Sequence, residues 1–430
     1  MDFALTKDIA FHKLKKGIWL YFLLLIFEGA LRKWALPSLA APLLIVRDPI
    51  ALYLLLVGIS YGFFKNNTYV YILWGISFLS FVMTLVVGHG NMYVAIYGLR
   101  IMALHFPLIF VIAKVFDKND VIAMGKMLLY IHIGMTLLVA VQFYSPQTAW
   151  VNRGIGGDTE GSGFGSTNDF FRVPGTFSFT NGLSIFYGLV AAFNLYFLID
   201  YNNKVIPKWL LIASTVCLLA AIPLSISRTV FFEIILSFLF YVVVIARNPK
   251  MVGRLIIAGV FGVVAFFTLS NFSFFQTAVG AFIDRFTTAN ETEGGVQGVF
   301  LDRFLGGMVG ALKNDDIPFF GKGIGMGTNV GAQILSGSRG FLVAEGEWGR
   351  LIGEMGLFLG LIVIYIRMAF VVYFAKYAWK AIAHSNFLPW MLLSFVAANI
   401  LQGQWAQPTS LGFSVIGGGL LLASLNTETD

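Results

Sequence analysis

Apolar stretches of about 18–25 residues recur along the whole sequence, each long enough to cross a hydrocarbon core of about 30 Å as a helix. Soluble domains carry roughly a quarter of their residues as charges. Here 58% of the 430 residues are hydrophobic and only 12% are charged. Length therefore says little about domain number, and the chain reads as one all-α, polytopic membrane domain over 1–430. The expected spans are 17–32, 49–64, 68–88, 91–114, 119–143, 181–200, 207–226, 229–246, 251–270, 351–374, 387–405 and 409–425. That is about 12 transmembrane helices, with ends placed to within a few residues.

An even number of crossings puts both termini on one side. Lys65, Lys114, Lys118, Lys204, Lys208, Lys250, Lys376 and Lys380 then share that side with the lysine-rich N-terminus, as do Arg247 and Arg254. The positive-inside rule makes this side the cytoplasm. The opening residues run from Lys7, Lys13, Lys15 and Lys16 into an apolar segment without a small-residue cleavage pattern, so a retained first helix is expected. Cys217 is the single cysteine, which excludes an intramolecular disulfide and a cysteine metal cluster. The histidines His12, His89, His105, His132 and His384 are scattered, so no metal and no cofactor are expected. A net charge of +7 would suggest nucleic acid in a soluble chain. In a membrane chain its distribution matters more, and the lipid bilayer is the expected surroundings.

Two long connections fall on the opposite, extracytoplasmic face: 144–180, and 271–350 between the ninth and tenth helices. The basic residues there are mostly arginine (Arg32, Arg47, Arg153, Arg172, Arg228, Arg285, Arg303, Arg339 and Arg350), against Lys33, Lys313 and Lys322. A topology signal has no reason to choose arginine, whereas anion recognition does. The guanidinium fork grips phosphate oxygens in pairs and keeps its charge. Any single arginine has an ordinary alternative as an interfacial or ion-paired residue; the cluster points to anion binding.

The segment GIGGDTEGSGFGSTNDF (154–170) reads as a flexible loop. FRVPGTFSFTNGLS (171–184) then sets Arg172 before the next helix, with a turn at Pro174-Gly175 and Thr180 or Asn181 as N-cap. Backbone N–H groups beside an arginine suit phosphate. In the longer connection, F-x-D-R-F occurs at 282–286 and again as F-L-D-R-F within 300–305, which reads as two amphipathic helical pieces carrying Arg285 and Arg303. PFFGKGIGMGTN (318–329) has alternating glycines but no preceding strand, so it fails the context test for nucleotide binding and reads as a tight packed loop. AEGEWGRLIGEMGLFLG (344–360) crowds Glu345, Glu347, Arg350 and Glu354 at the entry to an apolar helix. Carboxylates there favour the helix dipole, and spacings of three and four put Glu347, Arg350 and Glu354 on one face. Inside the spans, Arg100 costs at least about 2.5–3.5 kcal/mol and needs a partner or a polar cavity. Glu233, and Glu28 with Arg32 at i, i+4, are the other charges within spans.

The long outer connection, its closing E-x-G-L-F-L-G and the SRT that opens an earlier helix resemble the O-antigen ligase/polymerase superfamily of bacterial membrane glycosyltransferases. The likeness runs over roughly 170–365. It implies a multi-pass protein of the bacterial inner membrane with both termini cytoplasmic. The implied reaction is metal-independent transfer of a glycan from an undecaprenyl diphosphate carrier to a sugar hydroxyl, in O-antigen or exopolysaccharide assembly. The acceptor is lipid A core for ligases and a carrier-linked repeat unit for polymerases, and other polysaccharide assembly proteins are possible partners. Ligases of this family have a histidine about nine residues before the helix-entry glutamate that corresponds to Glu354. Glu345 stands there, so a carry-over by position makes Glu345 the base and Glu347 its rival, which argues against a standard ligase. Arg228 and Arg172 match arginines of the family. The implied site is then Glu345 and Glu347 for catalysis, Arg172, Arg228, Arg285, Arg303, Arg350 and Arg100 for the diphosphate, and Glu354 and Asn181 in support. A carboxylate accepting a hydroxyl proton while arginines stabilise the departing diphosphate is coherent chemistry. The alternative is a lipid-linked oligosaccharide flippase or another secondary transporter, for which Arg100 and Glu233 speak. Such folds usually show two related halves, and no internal repeat is found. A non-catalytic assembly scaffold is a third reading.

Overall fold

The computed structural model describes residues 2–165, 170–199, 205–247, 252–292, 306–313, 316–337, 340 and 342–426. The second F-L-D-R-F piece, with Arg303, and Arg339 lie outside the described residues. The described chain is helical almost throughout. Its one β pairing joins β1 (Phe164–Gly165) and β2 (Phe171–Arg172) antiparallel, with Phe164 opposite Arg172, so the segment expected to be a loop contributes a short strand near its end.

Each expected span is occupied by helix. In chain order these are α1 (Asp2–Ala30), α2 (Asp48–Ser60), α3 (Thr68–Val86), α4 (Met92–Arg100), α5 (Leu108–Val115), α6 (Lys118–Tyr144), α7 (Thr180–Ile199), α8 (Lys208–Leu224), α9 (Arg228–Arg247) and α10 (Val252–Ser270). After them come α11 (Ser273–Thr292), α12 (Gly307–Leu312), α13 (Asn329–Ser336), α14 (Glu347–Ala383), α15 (Leu388–Gln402) and α16 (Pro408–Leu425). Among the described residues, 8 helices are long and apolar enough to cross a membrane. A ninth arises if Gly262–Ser270 and Ser273–Thr287, bent by 105°, count together. The helices α8 and α15 are apolar but shorter. In α1 the apolar stretch 17–27 is confined between Lys16 and Glu28. The chain is an all-α, multi-pass membrane protein.

Burial orders the bundle. The helix α7 is enclosed along nearly its whole length, 94% of its apolar window being buried, and α16 is next at 78%. The helices α5, α15 and α9 pack around these two. Outward-facing apolar residues such as Leu52, Phe78, Leu137, Phe267, Tyr365 and Val372 are exposed, as expected where lipid is the solvent. The α4 and α5 helices form one broken rod, joined by a π-helical turn at Ile101–His105 and Pro107.

The connection 271–350 is largely helical where it is described, with α11, α12 and α13 in it. Phe282 and Phe286 of the first F-x-D-R-F lie against Phe231 and Phe232 of α9, with ring centroids 5.7–6.0 Å apart.

Candidate active site

The site is built around a break in α14. Gly356 has φ 79° and ψ 171°, a combination open essentially to glycine alone. It divides the helix into arms 347–355 and 357–383. In a straight helix, residues 347 and 367 would stand about 30 Å apart at 1.5 Å per residue. Yet Arg367 Nη1 donates to Glu347 Oε1 at 2.6 Å, so the short arm folds back along the long one. Gly360 lies at that contact: a Cβ there would come 2.8 Å from Ile352 Cα. The two glycines of E-x-G-L-F-L-G are the hinge and the close approach of one helical hairpin. The expected single span 351–374 is corrected accordingly, since only the 357–383 arm can cross. The other arm is about 13 Å long.

A helix break strands backbone groups that a membrane cannot hydrate. The glycine-rich loop 318–329 meets them. Lys322 N donates to Gly353 O (2.8 Å), Gly323 N to Glu354 O (3.0 Å) and Gly327 N to Glu354 Oε1 (2.7 Å). Positive φ at Gly321, Gly323 and Gly325 lets the loop lie flat against the hinge. The alternating glycines are thus structural, as the tight-loop reading expected. The same loop is tied to α3 through Ile324 N and Thr84 Oγ1 at 2.9 Å.

The hairpin encloses four charges. Arg350 grips Glu347 with two parallel bonds, Nε to Oε2 and Nη2 to Oε1, both 2.8 Å, and its Nη1 donates to Glu354 Oε2. Arg367 adds Nε to Ile400 O (2.6 Å) and Nη2 to Gly403 O (2.9 Å), and its guanidinium stacks 3.9 Å from the Trp405 ring centre. All four side chains are buried. Two carboxylates and two guanidiniums cancel, as buried charges must. Arg350, expected at the diphosphate, gives three of its five N–H groups to these carboxylates. Spacing alone had placed Glu347, Arg350 and Glu354 on one face, and they do meet.

Glu345 stands apart from this network. It is exposed, just before the helical arm, and with Asn329, Gln404, Gln407, Glu347 and Arg350 it lines a pocket. A chain of amides runs along this wall. Asn181 Nδ2 donates to Gln407 Oε1 (3.2 Å), Gln407 Nε2 to Gln404 Oε1 (2.5 Å) and Gln404 Nε2 to the Glu345 carbonyl (3.0 Å). Asn181, expected as a helix cap, thus reaches from the first turn of α7 to the pocket edge.

Arg228 opens α9 after a turn in which buried Ile226 holds φ 48°, a genuine outlier for a β-branched residue. Ser227 Oγ lies 2.9 Å from Ser184 Oγ of α7, which sets the Arg228 turn beside the helix that carries Asn181. The helix α11, with Arg285, packs on the same end of α9 through the phenylalanines described above. Arg172 sits on β2 with its guanidinium 6.0 Å from the Phe164 ring centre.

Arg100, expected at the diphosphate, lies away from the Glu345 pocket at the end of α4. Its Nη1 donates to Asp48 Oδ2 at 2.5 Å. Asp48 Oδ1 lies 3.1 Å from His105 Nε2, and His105 Nδ1 lies 2.9 Å from the Tyr21 hydroxyl. The expected Glu28–Arg32 pair is present at 3.5 Å, and Arg47 Nε joins it at 3.2 Å from Glu28. Lys33 Nζ donates to Gly175 O at 2.6 Å, and burial pulls its ammonium down to about 7.

Sequence reasoning missed Arg367, Gln404, Gln407 and Asn329. Arg367 was within reach of the argument that singled out Arg100, an arginine in the middle of an apolar run. The amides carry no comparable sequence signal. The chain matches no protein-family model, no curated protein and no solved structure.

Proposed function

We propose that this protein is a polymerase- or ligase-type glycosyltransferase that moves a glycan from an undecaprenyl diphosphate carrier to a sugar hydroxyl during surface polysaccharide assembly. The observation that carries the reading is the pairing of carboxylates at the pocket: Glu347 is locked by two arginines, while exposed Glu345 has its carboxylate open to a ligand. The lysine distribution supports twelve crossings in a bacterial inner membrane, both termini cytoplasmic, and 144–180 and 271–350 on the outer face.

In this reading Glu345 accepts the proton of the acceptor hydroxyl as its oxygen bonds to the anomeric carbon. The bond from that carbon to the phosphate oxygen breaks, and the diphosphate leaves with growing negative charge. Arg228, Arg285 and Arg172 are the cations proposed for it. A partly solvated carboxylate is the better base, because one held by arginines loses affinity for protons.

The test is made in the producing cell. Deletion of the protein, or Glu345→Gln, should leave single carrier-linked repeat units on the outer leaflet, and Glu345→Gln should slow transfer by about 10²–10⁴-fold. Units stranded on the inner leaflet would instead identify a flippase, and wild-type polymer from Glu345→Gln would remove Glu345 from the mechanism.

A further inference from the structure

Two buried arginines hold the two ends of the turn that joins α15 to α16. Arg367 of α14 donates to the Gly403 carbonyl at 2.9 Å. At the other end Arg47, the residue before α2, donates from Nη2 to the Pro408 carbonyl at 2.7 Å. Its Nε keeps the 3.2 Å bond to Glu28 Oε2, so one guanidinium ties α1, α2 and α16 together. The planar fork presents donors in two directions, whereas an ammonium is a single point charge. Nη1 lies against Gly412, where a Cβ would come within 2.2 Å of it, so the glycine makes room for this side chain.

The turn does not need Arg47 in order to form. Its own backbone closes it, Gln407 N donating to Gln404 O (2.9 Å) and Leu411 N to Gln407 O (3.0 Å). Glu28 does not depend on Arg47 alone either, since Arg32 stands 3.5 Å from its other oxygen. What the bond to Pro408 fixes is the place of the turn relative to α1 and α2. From that turn Gln404 reaches the Glu345 carbonyl at 3.0 Å, and Gln407 holds the Gln404 amide. Glu345 sits in irregular chain just ahead of the helical arm, where a bond to its carbonyl sets how its side chain projects.

We propose that Arg47 is a positioning residue for Glu345. Through the Pro408 carbonyl it fixes the 403–408 turn, and through Gln404 that turn fixes the backbone that carries the base. The inference deepens the transferase reading and rests on it for the role of Glu345. Arg47 touches no substrate and moves no proton. Its effect on rate is one of placement, and a misplacement of about 1 Å costs on the order of 10²-fold.

The experiment uses the full-length protein in detergent, with carrier-linked repeat units extracted from cells that lack it. Arg47→Lys keeps the charge beside Glu28 and loses the bond to Pro408. Gly412→Ala displaces the guanidinium and changes no charge. Each should lower kcat about 10–100-fold with KM for the acceptor unchanged. Arg47→Lys combined with Gln404→Leu should be no slower than the slower single change, because both act on one carbonyl. Hydrogen exchange, read without turnover, should quicken at 403–408 and 344–346 in both single variants while α7 keeps its wild-type protection. A merely structural role would instead quicken exchange throughout the bundle and lower the melting temperature in step with kcat. If Arg47→Lys does not fold, Gly412→Ala carries both readings. Wild-type kcat in both variants, multiplied losses in the double variant, or unchanged exchange at 344–346 overturns the proposal. The leaflet assay judges the transferase reading separately: if Glu345→Gln makes wild-type polymer the base is wrong, and exchange at 344–346 still decides whether Arg47 holds that segment.

Discussion

Arg367→Met removes one of the two cations that hold Glu347 while roughly keeping side-chain volume. It deletes the 2.6 Å bond to Glu347 and the bonds to the Ile400 and Gly403 carbonyls. Removing one partner of a buried pair costs about 3–5 kcal/mol, because the other charge is left behind. An independent figure agrees: two unit charges about 4 Å apart at an effective dielectric near 20 interact by about 4 kcal/mol. Glu347→Gln should cost a similar amount, since it leaves Arg367 without a carboxylate. The double variant leaves Arg350 paired with Glu354, a neutral remainder, so it should cost about as much as either single change rather than their sum. Denaturant titration of the detergent-solubilised protein, read by a fluorescent or size-exclusion signal, gives the three free energies. Additive losses, or a loss below about 1 kcal/mol for Arg367→Met, would refute the closed hairpin.

Two further changes probe the same architecture and its neighbour. Gly356→Ala places a Cβ 1.9 Å from the Phe319 carbonyl in a backbone region that costs about 1–3 kcal/mol on its own. Its melting temperature should fall sharply, and a wild-type melt would mean that the arms do not fold back. Lys33 gives a pH signature. Its folded value is about 7 against 10.5 when unfolded, so between those limits the unfolded state binds more protons and stability rises with pH. Lys33→Met lacks that gain, so its melting temperature relative to wild type should decline from pH 7 to pH 9; parallel profiles would show that Lys33 is solvated.

Much of the helix inventory was legible because hydrophobic run length is a one-dimensional property. Each apolar run became a helix, and spacing alone put Glu347, Arg350 and Glu354 together. The failures have a common cause. Arg100 finds Asp48 on another helix, a partner that no local pattern announces. Arg350 was seen beside carboxylates, yet only coordinates show that each of its three nitrogens donates to one. Gly356 and Gly360 look like ordinary glycines in a membrane helix, where glycine is frequent. Their roles follow from a positive φ and a close backbone approach, which composition does not record. The pocket amides escaped notice because glutamine and asparagine carry no charge to be accounted for.

The folded-back hairpin also bears on how the chain is made. The 357–383 arm is the part of α14 that can be integrated as a transmembrane segment, and it must enter carrying Arg367, at about 2.5–3.5 kcal/mol on insertion scales. The preceding arm is too short to be taken up as a segment of its own. It is left at the membrane edge until Glu347 meets Arg367 and the loop 318–329 closes over the hinge. Association within lipid gains nothing from hiding apolar surface, so neutralisation of Arg367, close packing and the loop's hydrogen bonds to the hinge drive that late step. Biogenesis of this protein thus divides into integration followed by latching, and the pocket exists only after the latch has closed.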